Sequence, residues 1–220
     1  MTAATRLTLS GRSTDRLERL APALGDRVVG TLSADVVAPD APDRLVRAAY
    51  ESLGRLDGAV YAAGVVAFGD LVDLDDDVLD QLVLVILMAP IRIARAAARI
   101  LSAGGFVANL SAVVAEQPAK GMAAYSATKA GLTAFDKAAA AEFRRRQIRV
   151  IDIRPTHTET GLANRPIAGR SPRLPRDAHR WMSRTASSPR LRAMRRIYRL
   201  PAFKTHQPDR GTGRNPCRAS

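Results

Sequence analysis

The sequence has almost no cysteine. Its one thiol, Cys217, stands three residues from the end of the 220-residue sequence, so no disulfide can form within the chain. A chain without disulfides is typical of a reducing compartment, and we therefore expect a cytoplasmic protein.

Long apolar runs are also missing. The longest, Leu82–Pro90, is far shorter than the roughly 20 residues that a membrane-spanning helix needs, and Arg92 follows it closely. No basic stretch followed by an apolar one opens the sequence, so we expect neither a secretory signal nor membrane association. With 220 residues, of which 46% are hydrophobic, the chain suits one globular domain with a sizeable core.

Acidic residues are scarce near the C-terminal end. Residues 175–220 contain twelve Lys and Arg against only Asp177 and Asp209, which gives +10 of the total charge of +13. Five prolines lie in the same stretch, and its only apolar periodicity is a weak amphipathic pattern over Trp181–Leu200. We predict a domain over residues 1–174 and a basic Pro/Arg-rich tail over 175–220 that is disordered or weakly helical. The tail can bind polyanions non-specifically, but the body carries only +3, so we do not expect a dedicated nucleic-acid-binding protein.

Short apolar stretches alternate with amphipathic ones along the body of the chain. The predicted strands are Arg6–Ser10, Asp26–Leu32, Leu56–Ala62, Phe106–Leu110 and Arg149–Arg154. The predicted helices are Ser13–Leu20 (ended by Pro22), Pro42–Leu53, about Val78 to Leu101 with a kink at Pro90, and Gly121–Arg146. This alternation predicts an α/β fold with a doubly wound parallel sheet.

Residues suited to ligand binding follow the predicted strands. They are Arg12, Asp35, Gly64, Ser111 and Thr160. Ligands of doubly wound sheets bind at the carboxyl ends of the strands, so this placement favours a binding site. The alternative is that polar residues simply begin where strands end, and the placement alone does not decide between the two.

Tyr125 and Lys129 lie near the start of the longest predicted helix. They are four residues apart, so both side chains project from one side of it. An ammonium beside a phenol favours the phenolate and is expected to lower the phenol pKa, which suits proton transfer near neutral pH. The same spacing also occurs by chance, as a half-buried ring beside a solvated amine.

Four short motifs together resemble the short-chain dehydrogenase/reductases. They are YAAG at Tyr61–Gly64, NLSAVV at Asn109–Val114, YSATK at Tyr125–Lys129 and RPTHTET at Arg154–Thr160. The resemblance extends from about Arg6 to Leu174. It implies a Rossmann-type, NAD(P)-dependent oxidoreductase, commonly a dimer or tetramer, that acts on a carbonyl or secondary alcohol.

The resemblance also implies a role for each matching residue. Tyr125 would be the general acid/base, Lys129 would tune it and hold the nicotinamide ribose, and Ser111 would polarise the carbonyl. Arg12 would meet a 2′-phosphate, which favours NADP over NAD, although it could also be a solvated loop arginine. Asp35 would contact the adenine, or alternatively cap a turn. The remaining cofactor-binding positions would be Ala63, Gly64, Pro155 and Thr160. No metal is implied.

The sequence departs from that family at both ends. The glycine-rich strand–turn–helix that binds pyrophosphate has no counterpart, and Gly211-Thr212-Gly213 does not replace it because it follows no strand. We therefore expect a fold truncated at its N-terminus, with a gap between the strands Arg6–Ser10 and Leu56–Ala62. The family serine aligns with Ala112, one position after Ser111, and a one-residue shift on a strand turns a side chain to the other face unless a bulge intervenes.

Two hypotheses follow. The first is an NADP(H)-dependent oxidoreductase that uses Tyr125 for proton transfer. The second is a catalytically inactive remnant or pseudoenzyme of the same fold, which can bind polyanions through its basic tail.

Overall fold

The computed structural model describes residues 5–155 and 161–172, where it contains five β-strands and five α-helices. The strands are β1 (Leu7–Gly11), β2 (Val28–Ser33), β3 (Gly58–Tyr61), β4 (Phe106–Leu110) and β5 (Arg149–Ile153). The helices are α1 (Thr14–Leu24), α2 (Ala41–Leu53), α3 (Asp76–Val83), α4 (Ala89–Ile100) and α5 (Ala123–Phe143). The predicted α/β class is confirmed. The predicted domain boundary, the basic tail and Cys217 lie outside the described residues.

All strand pairs are parallel, and they form two separate sheets. β1 pairs with β2, while β3, β4 and β5 form a three-stranded sheet in that order. Within the described ranges no ladder joins β1 to β3. The sheet is therefore interrupted at the place where the sequence predicted a gap.

The main core lies between the three-stranded sheet and a layer of helices. α2 packs against α4, α4 against β3 and β4, and α5 against β5. The α4 sequence is rich in alanine, and its small side chains allow the helix to approach the sheet closely. Val46 of α2, Ile93 of α4 and Val107 of β4 belong to the same buried cluster.

A π-helical turn, Leu84–Met88, separates α3 from α4. Pro90 follows at the second position of α4, where a proline has no N–H to donate and its ring crowds the preceding turn. The disturbance predicted at Pro90 therefore takes the form of a widened turn before it. The hydroxyl of Tyr61 donates a hydrogen bond of 2.6 Å to the carbonyl of Val85 in this turn. This bond ties the end of β3 to the π-helical turn.

The prediction that Pro22 ends the first helix is wrong. α1 continues through Pro22 to Leu24, and Gly25 ends it with φ of 62°. A proline in the last turn of a short helix removes only one hydrogen bond, which the helix tolerates here. The predicted cap is confirmed, because the Ser13 hydroxyl accepts a hydrogen bond of 3.3 Å from the Arg16 amide.

The long helix α5 corresponds to the predicted Gly121–Arg146 segment. Its alanine-rich sequence favours a helix, and Leu132 and Ala139 anchor it in the interior with 1% and 3% exposure. After a 3₁₀ turn at Arg144–Arg146, Gln147 takes a left-handed conformation with φ of 55° and leads into β5. None of the described helices combines the length and the apolar character needed to cross a membrane.

Candidate active site

Tyr125 and Lys129 lie together in the first turns of α5, close to the carboxyl end of β4. Both are buried, with 8% and 6% exposure. The Lys129 ammonium lies 5.8 Å from the centroid of the Tyr125 ring and donates a hydrogen bond of 2.7 Å to the carbonyl of Leu110. The end of β4 therefore fixes the lysine, and the lysine in turn places a positive charge next to the tyrosine.

Burial changes the pKa values of both groups. It lowers the pKa of Lys129 to about 8, against the opposing effect of the Asp152 charge, and it raises the pKa of Tyr125 to about 12. The prediction that the lysine would lower the tyrosine pKa is therefore wrong for this structure, because burial of the phenol disfavours its charged form. Near neutral pH the tyrosine is a protonated phenol, which is a proton donor.

Ser111 lies beneath α5. It is 3% exposed, its hydroxyl donates to the carbonyl of Lys129 at 3.2 Å, and it shares a hydrogen bond of 2.9 Å with the hydroxyl of Thr133. No hydrogen bond joins the Ser111 and Tyr125 hydroxyls. The catalytic role of Ser111 stays a prediction, and the geometry instead shows a residue that supports the backbone of Lys129.

Arg12 and Asp35 lie after β1 and β2, and both are exposed. Their charges act on the phenol of Tyr61, whose pKa is raised by burial and by Asp35 and lowered by Arg12. The structure therefore brings the ends of β1, β2 and β3 to one edge, as predicted for parallel strands. A carboxylate oxygen of Asp35 accepts a hydrogen bond of 3.2 Å from the amide of Val37, so the residue caps a turn, which was the alternative reading.

Three of the other predicted cofactor positions follow β3 and β5. Ala63 is exposed, and at Gly64 an added Cβ would come no closer than 4.0 Å, to Leu162. The carbonyl of Pro155 accepts a hydrogen bond of 3.2 Å from the amide of Val113. Thr160 lies outside the described residues.

A dinucleotide fits this edge in part. Arg12 forms no ion pair with any described residue, so its guanidinium is able to bind a phosphate by donating hydrogen bonds to it. Tyr125 and Lys129 are the candidate residues at the other end of the site. Between these ends the described residues supply no glycine-rich turn before a helix N-terminus, the usual pyrophosphate site.

A cavity of about 240 Å³ lies beside Tyr125. Most of its lining is apolar and includes Phe68, Leu74, Leu82 and Met122, and the residues Asp70, Asp73 and Asp75 also line it. The segment 161–172 closes one side, where Ala168 bridges Ala67. The sequence did not predict a site at residues 70–75, where the exposed apolar residue Leu71 among the aspartates was the available signal.

A second group that the sequence did not reveal lies behind Lys129. Asn109 donates a hydrogen bond of 2.6 Å to Asp136, and Asp152 accepts one of 2.7 Å from Arg154. Asn109 and Asp136 are buried and Asp152 is partly buried, and the three residues lie between α5 and the strands β4 and β5. An aspartate on the buried stripe of a long helix, as at Asp136, was the available signal.

Comparisons with known proteins identify the family to which the chain belongs. A family model described as enoyl-(acyl carrier protein) reductase matches residues 3–190, most of the chain. The chain belongs to the short-chain dehydrogenase/reductase family.

Individual members support the assignment. The chain is 34% identical over 165 residues to the cyclic-di-GMP-binding biofilm dispersal mediator protein of Escherichia coli, covering 74% of this chain and 66% of that protein. A short-chain dehydrogenase of Burkholderia cenocepacia, solved in complex with NADP, is 31% identical with a TM-score of 0.68, covering 74% and 68% of the two chains. A Sinorhizobium meliloti dehydrogenase/reductase is 28% identical, also with a TM-score of 0.68, covering 74% and 66%.

These matches confirm the Rossmann-type oxidoreductase fold. They do not extend over whole proteins, because the chain spans about two thirds of the length of these relatives.

Proposed function

We propose that this chain is an NADP(H)-dependent oxidoreductase that interconverts a carbonyl and a secondary alcohol, with Tyr125 as the general acid/base. The observation that carries the proposal is the buried Tyr125–Lys129 pair beside the largely apolar cavity. The NADP complex of the Burkholderia relative supports a nicotinamide cofactor. The choice of NADP rests on Arg12, which no described carboxylate pairs with.

Tyr125 and Lys129 would have separate roles in the reaction. A bound nicotinamide cofactor supplies or accepts the hydride. In the reducing direction the Tyr125 hydroxyl gives its proton to the substrate oxygen, which its raised pKa of about 12 permits because the phenol is fully protonated at neutral pH. The Lys129 ammonium, held by the Leu110 carbonyl, then stabilises the phenolate that remains.

The cavity suggests the kind of substrate. Its apolar walls favour a small hydrophobic carbonyl compound, and the carboxylates at Asp70, Asp73 and Asp75 disfavour anions. Arg12, Asp35, Ala63 and Gly64 would hold the cofactor, and Pro155, Thr160 and Ser111 remain predicted members of the site. A homodimer or homotetramer stays a proposal that light scattering tests.

The first test is the substitution Tyr125→Phe. It removes the acid but keeps the ring, so turnover in a carbonyl-reduction screen should fall at least about 100-fold, the typical contribution of a positioned acid. The NADPH affinity should change by less than about twofold. Tyr50→Phe is the matched control, because that ring is 43% exposed on α2. A Tyr125→Phe variant that keeps its turnover would refute the assignment.

The second test concerns the cofactor. Arg12→Ala should weaken NADPH binding by about tenfold, the value of roughly 1.4 kcal/mol for a charge-assisted phosphate contact, and should leave NADH binding unchanged. Arg16→Ala removes an exposed arginine of α1 that forms no ion pair with the described residues, and serves as the control. Equal losses for NADPH and NADH would contradict the role of Arg12.

A second candidate function is a non-catalytic protein of the same fold, which the separation of the two sheets favours. It predicts a chain that unfolds cooperatively but binds neither NADPH nor NADH in a fluorescence titration. Binding of either nucleotide at micromolar concentration would reject this candidate. Polyanion binding by residues 175–220 would be its remaining activity, and heparin retention compared with a chain ending at residue 174 measures it.

A further inference from the structure

A buried polar layer lies directly behind the Tyr125–Lys129 pair. Asp136 is 2% exposed and lies seven residues after Lys129, on the same stripe of α5. Asn109 is fully buried and is the register partner of Asp152 across β4 and β5. Because partners on adjacent strands project to the same face, the side chains of Asn109 and Asp152 both face α5.

The hydrogen bonds of this layer leave three oxygens without a partner among the described residues. Asn109 donates to one oxygen of Asp136 at 2.6 Å, and Arg154 donates to one oxygen of Asp152 at 2.7 Å. The side-chain oxygen of Asn109 and the second oxygens of Asp136 and Asp152 are buried and meet no donor in the described part of the chain. If both carboxyl groups were ionised, all three would be acceptors with no donor among them. Buried unpaired acceptors are destabilising, so the layer is short of a donor.

The charges around the layer also argue against an ionised Asp136. The positive groups are Lys129 and Arg154, and the negative groups beside them are Asp152 and the exposed Glu116, which pairs with Arg154. These four groups come from α5, from β5 and the residue that follows it, and from the turn after β4, and they already balance. An ionised Asp136 would add a fifth charge, buried and uncompensated, which is costly.

We propose that Asp136 holds its proton beneath α5, and that the negative charge of Asp152 favours the ammonium form of Lys129. The proton makes one oxygen of Asp136 the donor that the layer otherwise lacks. Asp152 is then a positioning residue that acts through Lys129 and touches neither substrate nor cofactor. The meaning of that role for catalysis rests on the proposed function, whereas the buried proton of Asp136 does not.

The pKa values of Asp136 and Lys129 support this proposal. Burial raises the pKa of Asp136 to about 7, and the Asp152 charge adds to the effect, against the Asn109 hydrogen bond and the Arg154 charge. Burial lowers the pKa of Lys129 to about 8, and the Asp152 charge is the group that opposes this. Loss of the Asp152 charge would therefore make Lys129 release its proton at a lower pH.

The test is an NMR titration of the full chain, labelled with ¹³C at the aspartate carboxyls and, separately, at the lysine ε carbons. The sequence has only four lysines, Lys120, Lys129, Lys137 and Lys204, so the lysine spectrum is simple. In the wild type we expect one aspartate with a midpoint near 7, absent from Asp136→Asn, and one lysine with a midpoint near 8, absent from Lys129→Met.

The variants separate the proposal from a merely structural role. Asp152→Asn should lower the midpoint of both Asp136 and Lys129, whereas Asp136→Asn, which mimics the protonated acid, should leave Lys129 near 8. Asp57→Asn, at an exposed ion pair with Arg55, should change neither. A normal aspartate midpoint near 4 for Asp136 would overturn the buried proton, and an unchanged Lys129 midpoint in Asp152→Asn would overturn the role of Asp152. If Asp152→Asn does not fold, the wild-type and Asp136→Asn spectra still decide the buried proton. Comparing the Lys129 midpoint of Asp152→Glu with that of the wild type then tests the effect of the Asp152 charge.

These titrations need neither cofactor nor turnover. A failure of the proposed function, seen as an active Tyr125→Phe variant, would leave the titration results unaffected. A normal titration of Asp136 would likewise leave the proposed proton donor intact.

Discussion

Replacing Asp136 by asparagine should change how the stability of the protein depends on pH. The wild-type carboxyl has a folded-state pKa of about 7 against an ordinary value of 3.8. Between these values the folded chain keeps a proton that the unfolded chain has released, so the free energy of unfolding decreases as the pH rises. This contribution is fully present below about pH 4 and is lost as the pH rises through about 7. Asparagine cannot titrate, so Asp136→Asn should not show the loss.

The size of the effect follows from the same two values. The difference between about 7 and 3.8 corresponds to about 4 kcal/mol, since one pH unit is worth about 1.4 kcal/mol. Solvent screens this free-energy difference little, because Asp136 is 2% exposed. For a chain of this size the loss corresponds to a decrease in Tm of about 10 °C. The stability of Asp136→Asn relative to the wild type should therefore increase by about 4 kcal/mol between about pH 4 and pH 7.5.

Urea unfolding followed by circular dichroism, at four or five pH values in that range, measures this difference. Other carboxylates titrate in both proteins and cancel, and Asp57→Asn controls for the loss of one exposed aspartate. A constant difference between Asp136→Asn and the wild type at every pH would refute the reasoning. It would mean that Asp136 has the same pKa in the folded and unfolded chains.

Two further substitutions test the framework around the site. Tyr61→Phe removes the donor to the Val85 carbonyl in the π-helical turn. It should lower the free energy of unfolding in urea by about 1–3 kcal/mol at an unchanged denaturant slope. An unchanged free energy of unfolding would mean that water replaces the bond. Gly169→Ala should cost at least about 1 kcal/mol, because Gly169 has φ of 70° and an added Cβ would clash with the Phe68 carbonyl. A Gly169→Ala variant that is fully stable in thermal melting would show that the bridge between Ala67 and Ala168 adjusts freely.

The periodic parts of the fold could be predicted from the sequence. Apolar spacing located all five strands of the described residues, and the four-residue step of Tyr125 and Lys129 placed them on one side of α5. These features depend on local geometry, which a repeat of two or about 3.6 residues encodes directly.

The pKa of Tyr125 and the layer around Asp136 could not be predicted in this way. The direction of a pKa shift depends on how much water the fold removes from a group, and the spacing of two residues does not reveal burial. Asn109, Asp136 and Asp152 are far apart in the sequence and each is unremarkable there. Only the parallel register of β4 and β5, with α5 laid across them, brings the three together.

The two sheets divide the candidate cofactor site between them. Arg12 and Asp35 follow the strands of the two-stranded sheet, whereas Tyr125 and Lys129 stand over the three-stranded one. Among the described elements, α2 is the helix that contacts β1, β2 and α4, and its Val46 lies in the same buried cluster as Tyr61 and Ile93. The distance between the two ends of a bound dinucleotide would therefore depend on helix packing as well as on strand pairing. Binding a ligand across both sheets would contribute to holding them together, because a ligand that binds only the closed arrangement stabilises it.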